Sequence, residues 1–254
     1  MRRNHLASLA GSLLLAGVLS GCGAVTTAQS QPERQLPTAP PAPTPASLAG
    51  PAIPAAPALP QLAGLGPEVL RDEFDAGLAA WTAKDIVSLP VSEPAVWEAA
   101  AGRLDQITGP EGLAAMSPVT LVRGDGLGAD YTVQAVAQSR GNEAMGVVAR
   151  AGDQGFYYLS VRSADARGTK AYLAKYDAAS DQFTTLARLE TGGWALNEWT
   201  ALALRVEGSN LTGYVNGQAV LEAKDDSFSS GKAGVYGYGV GDLSFDHFVV
   251  NANN

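Results

Sequence analysis

From residue 67 to residue 254, apolar and polar positions alternate along short runs separated by turn signals. Tyr131–Gln138 reads YTVQAVAQ. Phe156–Arg162 reads FYYLSVR and follows the turn Gly152–Gly155. Thr200–Val206 puts Leu202, Leu204 and Val206 on one face, because residues i and i+2 of a strand point the same way. The turn Glu207–Asn210 leads to Leu211–Val215. Asn216-Gly217, the strongest two-residue hairpin signal, then leads to Ala219–Ala223. Only Glu111–Met116 hints at a helical period, and it is too short to stand as a helix. Many short strands with tight turns predict an all-β antiparallel domain, a sandwich or a barrel.

The pattern upstream is different. Leu6–Val18 is an apolar run behind Arg2 and Arg3, too short to span a membrane and laid out as an export signal. Residues 23–66 carry ten of the fifteen prolines and no Trp, Tyr or Phe. Such a stretch buries too little apolar surface to offset its ordering entropy and reads as a semi-rigid, disordered tether. The expected division is therefore a leader over 1–21, an anchor and tether over 22–66, and one domain over 67–254. That domain holds all four Trp and all eight Tyr, enough for a sizeable core.

Composition narrows the chemistry. The formal net charge is −8, and removal of residues 1–21 leaves 15 basic against 25 acidic side chains. No basic patch interleaves with aromatics, so nucleic-acid binding is not expected. The single cysteine, Cys22, excludes internal disulfides, CxxC pairs and Cys-rich zinc sites. Within the domain His247 is the one histidine, and no Gly-x-Ser-x-Gly elbow supplies a nucleophile for it. Glycoside hydrolysis needs two facing carboxyl groups. Asp125, Asp130, Glu190, Glu198, Glu222, Asp225 and Asp226 read as solvated charges near loops, although carboxylates from different strands can converge.

Two resemblances add expectations. Leu19-Ser20-Gly21-Cys22 resembles the lipobox of bacterial lipoproteins, which implies lipidation of Cys22, cleavage before it, and a domain held at the cell envelope outside the cytoplasm. A second, ordered set of pieces spans the domain. It comprises Asp72-Glu-Phe-Asp75 with Trp81, Trp97 with Gly102-Arg-Leu104, and Gly155-Phe-Tyr-Tyr-Leu159. Asn197-Glu-Trp199, Tyr214-Val-Asn-Gly217, Gly234-Val-Tyr236 and Ser244–Val250 complete it. Together they resemble the concanavalin A-like jelly-roll superfamily, nearest its laminin G-like and 3-keto-disaccharide hydrolase-like members. The resemblance implies a two-sheet jelly-roll sandwich with a concave face that binds glycans or proteins. The Glu-x-Asp-x-x-Glu and Glu-x-Asp-x-Glu spacings of jelly-roll glucanases are absent, so no catalytic residue carries over.

Strand parity proposes site residues. Tyr158 and Arg162, Tyr214, and Tyr236 and Tyr238 face outward from their strands. Arg150 is a further candidate, and Trp194 lies in an expected loop. Tyr with Arg suits sugar recognition, through ring faces on C–H-rich surfaces and directed guanidinium donors, but it also suits protein contacts or plain cross-strand packing. Asp72 shares parity with Leu70 and Phe74, and Asp246 with Phe248 and Val250, so both point inward. A buried carboxylate needs a partner. The resemblance implies a structural calcium held by Asp72 and Asp246; the alternatives are backbone N–H donors or a salt bridge to Arg71 or Lys232. The expected function is non-catalytic binding of a glycan or an envelope partner. A glycoside hydrolase-like enzyme and a structural or adhesive lipoprotein are the alternatives.

Overall fold

The computed structural model describes residues 53–86, 93–110, 118–124, 126–141, 144–239 and 241–254. Residues 1–52, with the leader and Cys22, lie outside the described residues. Fifteen strands follow in chain order, and no helix occurs among the described residues. They are β1 Leu65–Asp72, β2 Thr82–Asp85, β3 Val96–Ala100, β4 Arg103–Thr108 and β5 Pro118–Arg123. Next come β6 Tyr131–Ser139, β7 Ala144–Gly152, β8 Gly155–Arg162, β9 Ala171–Asp177 and β10 Gln182–Leu189. The last five are β11 Thr200–Glu207, β12 Asn210–Val215, β13 Gln218–Lys224, β14 Lys232–Tyr238 and β15 Leu243–Asn253.

The strands form two antiparallel sheets. The first runs β13-β12-β11-β6-β15-β4-β3, with β1 also paired to β15. The second runs β10-β9-β8-β7-β14-β5-β2. Between them lies the core, in which Val133, Ala135, Leu202, Leu204, Phe245 and Val250 of the first sheet meet Met145, Val147, Tyr157, Leu159, Leu173 and Val235 of the second. This is a jelly-roll-like sandwich, and the parity of β8, β11 and β14 follows the alternation in the sequence.

β15 departs from simple alternation. Its first half pairs with β4, through Leu243, Ser244 and Phe245. Its second half pairs with β1. At the changeover His247 adopts φ 50° and the register against β6 shifts between Asp246 and Val249. The extra residue resets parity. Phe245 and Phe248 both point inward, so Asp246, expected to share the inward face of Phe248, lies on the outer side.

Among the described residues, the tail end of the Pro-rich stretch packs on the first sheet from Pro54 onward. Trp199 Nε1 donates to the Pro54 carbonyl at 2.8 Å, Arg205 Nη2 donates to the Ala63 carbonyl at 2.5 Å, and Leu62 is buried. Composition misses this strap because it counts only what the segment buries by itself. The segment borrows the outer face of the first sheet, and side chains of that face donate to its carbonyls.

Candidate functional site

The outer face of the second sheet carries the aromatic residues that parity points outward. Its geometry starts from β7, the central strand, whose outward residues are Ala144, Gly146 and Val148. Gly146 has no room for a side chain, since a Cβ there would lie 1.9 Å from the Leu159 carbonyl oxygen. Across the ladder Ala144 stands between Tyr238 of β14 and Arg162 of β8, and Gly146 stands between Tyr236 and Ser160. Two small residues flanked by large ones leave a depression of about 290 Å³. Tyr158 and Tyr236 form its floor, with ring centroids 4.7 Å apart and planes at 17°. Tyr172 of β9, Tyr238, Arg162 and Thr185 of β10 form the walls. Tyr236 hydrogen-bonds with Ser160, and burial pushes the Tyr158 and Tyr236 hydroxyls well above the usual tyrosine range. Both remain neutral donors.

The face is curled. β2 and β9 stand five strand positions apart, roughly 24 Å in a flat sheet. Yet the Lys84 ammonium lies 5.8 Å from the centroid of the Tyr176 ring, and Ile86 packs with Phe156, Tyr158 and Tyr176. Two side chains do not cross a flat sheet of that width, so the outer face is concave.

Of the seven recognition candidates, four gather here: Tyr158, Arg162, Tyr236 and Tyr238. The other three lie elsewhere. Tyr214 points outward from the first sheet, with its ring 5.5 Å from the Arg205 guanidinium and against the strap. Trp194 is 1% exposed; its indole N–H donates to the Val161 carbonyl and its backbone N–H to that of Arg162, so it props β8 from inside the core. Arg150 is 2% exposed at φ 52°, and its guanidinium donates to the carbonyls of Ala129, Gly208 and Phe228 and pairs with Asp130. It ties loops together and reaches no outer face. Ser160, outward by the same parity as Tyr158 and Arg162, and Tyr172 complete the depression; Tyr172-x-Ala174-x-Tyr176 carries the same parity signal.

The two aspartates proposed for calcium are not brought together. Asp72 does point inward, but its oxygens accept from the Phe74 backbone N–H at 2.7 Å and Trp81 Nε1 at 2.9 Å, and it pairs with Arg123. Arg123, with its guanidinium 5.5 Å from the Trp81 ring, supplies the neutralising charge. Asp72 therefore does not fit as one half of a calcium pair. Asp246 groups instead with Glu73 and His247, the potential ligand atoms all within 4.8 Å of one another. Burial opposes ionisation of Glu73, yet Arg71 and His247 outweigh it and hold its carboxyl below the usual range. Burial raises that of Asp246. Among the described residues this is the set with the donors a divalent metal could use. Its Glu73 and His247 also line a cavity of about 710 Å³ between the strap and the first sheet.

No protein-family model matches the chain, and no curated protein matches it. Solved structures share the fold. The carbohydrate-binding module CBM66 of Bacillus subtilis superposes with a TM-score of 0.51 at 17% identity, over 69% of this chain and 97% of that one. A Bacillus subtilis protein of unknown function with a galectin-like fold gives 0.53 at 12%, over 75% and 99%. A β-glucanase of Bacillus licheniformis gives 0.50 at 10%, over 74% and 99%. At these identities the likeness establishes the fold, a concanavalin A-like or galectin-like sandwich.

Proposed function

We propose that the protein binds a saccharide, without cleaving it, in the depression on the outer face of the second sheet. On this reading a lipid anchor at Cys22 and a Pro/Ala tether carry the domain at the cell envelope. The observation that carries the reading is the convergence of Tyr172, Tyr238 and Arg162 around a pocket made by Ala144 and Gly146, with buried neutral tyrosines as its floor. Ring faces accept sugar C–H surfaces, while hydroxyl and guanidinium donors orient sugar oxygens. Neighbours of the same fold include a protein named as a carbohydrate-binding module and one named as a glucanase, which supports a glycan-related role.

Binding is favoured over hydrolysis by the lining. No Asp or Glu lines the depression among the described residues, and glycoside hydrolysis uses a carboxyl pair. The Glu73–Asp246 pair belongs to the other sheet, and His247 bonds to Glu73 at 2.7 Å. The test is affinity electrophoresis and calorimetry of the full chain against a polysaccharide panel, with Tyr172→Ala and Tyr238→Ala. Each variant is expected to lose about tenfold in affinity, equivalent to about 1.4 kcal/mol, with an unchanged melting transition. Full affinity in both variants, or release of reducing ends during binding, would contradict the reading.

A further inference from the structure

The charge distribution around the depression points to the class of saccharide, an inference that rests on the proposed binding site. We infer that the ligand is an acidic saccharide whose carboxylate or sulfate is held by Arg162. Three rows of cross-strand neighbours make up this part of the face. One runs Lys84, Thr120, Tyr236, Gly146, Ser160, Tyr172, Arg188. A second runs Pro118, Tyr238, Ala144, Arg162, and a third runs from Val122 through Gly234, Val148, Tyr158 and Ala174 to Thr185. They contain three cations and no carboxylate, on a chain whose net charge is −8.

The cations differ in how they are satisfied. Arg188 has Glu190 at 3.3 Å. Lys84 rests over the Tyr176 ring. Arg162 stands at the depression itself, and its guanidinium makes one long hydrogen bond, from Nη1 to the Arg167 carbonyl at 3.5 Å. No carboxylate pairs with it among the described residues. Most other arginines of the domain are spent on acids: Arg71 on Glu68 and Glu73, Arg103 on Asp105, Arg123 on Asp72, Arg140 on Asp242 and Arg150 on Asp130. Arg162 is the pocket cation with its fork available, and a planar fork matches the two oxygens of a carboxylate or a sulfate. Carboxylates sited elsewhere also keep their repulsion away from an incoming acidic chain.

The test compares the full chain against four polymers: polygalacturonate, dextran sulfate, unmodified dextran and pullulan. The expected result is at least tenfold tighter binding to polygalacturonate or dextran sulfate than to both neutral polymers, weakening as salt rises. Which acidic polymer binds tells carboxylate from sulfate. Arg162→Gln should abolish that preference, and Arg162→Lys should restore part of it. Equal affinity for neutral and acidic polymers overturns the inference and leaves the saccharide site standing. Acid preference that survives Arg162→Gln overturns the assignment to this pocket. Binding to none of the four, with none in the wider panel, overturns the saccharide reading itself.

Discussion

Asp246 and Asp225 show how one residue type takes opposite roles. Burial raises the Asp246 carboxyl, so its folded form holds a proton more readily than the unfolded chain. Such a group detracts from stability at neutral pH, and the penalty fades as pH falls through its folded value. Asp246→Asn keeps an oxygen for the His247 N–H, which Asp246 Oδ1 accepts at 2.7 Å. The variant should melt higher than the parent at pH 7, with the gap closing toward pH 3; thermal denaturation across that range reads it. At Asp225 burial also opposes ionisation, but Lys175, Ser227 and Tyr157 outweigh it and push the carboxyl far down. Its stabilising effect is complete above the unfolded value near 3.9 and is lost as pH falls further. Asp225→Asn should therefore melt lower at pH 7, again with the gap closing in acid. Sequence parity placed Asp72 inward correctly and Asp246 incorrectly. The difference is a single bulged residue, His247, which no alternation pattern announces. Arg150 escaped for a similar reason, since its φ of 52° lies at the irregular end of β7, where both parities are apolar.

At the scale of elements, the hairpins and strand faces were legible. Asn216-Gly217, Gly152–Gly155 and the alternating runs at 131, 156 and 200 all form strands or turns. Parity states that a side chain points out of a strand, but not out of which sheet. That is why Tyr214 was grouped with Tyr158 and Tyr236 although it belongs to the opposite sheet. Trp194 lies in the expected loop between β10 and β11, but Gly193 approaches Ala164 and Arg162 so closely that the loop folds inward and buries the ring. The strand that makes the site is β7, through residues chosen for smallness. Gly146→Ala places a methyl against the Leu159 carbonyl, and overpacking of this kind costs roughly 1–3 kcal/mol. Chemical denaturation should show that loss. The strap makes a further prediction. Leu62→Asp should release residues 53–64 from the first sheet, so that limited proteolysis cuts there while the sandwich stays intact. Equal protection in parent and variant would contradict a strap held by Leu62.

The described residues form a sandwich with two differently used outer faces. The face of the first sheet is partly covered by the chain's own strap. The face of the second is curled and tyrosine-rich, no Asp or Glu lines its depression among the described residues, and it holds the proposed site. On the proposed reading a saccharide sits on this second face. Tyrosine-selective NMR reads it most directly, because the eight tyrosines report on both faces and on the core at once. Titrating the full chain with trigalacturonate, and in parallel with maltotriose, should shift the ring signals of Tyr172 and Tyr238. Tyr214, on the opposite sheet, should stay still. Shifts confined to Tyr214, or no shift in any tyrosine at saturating concentrations of either sugar, would contradict the claim.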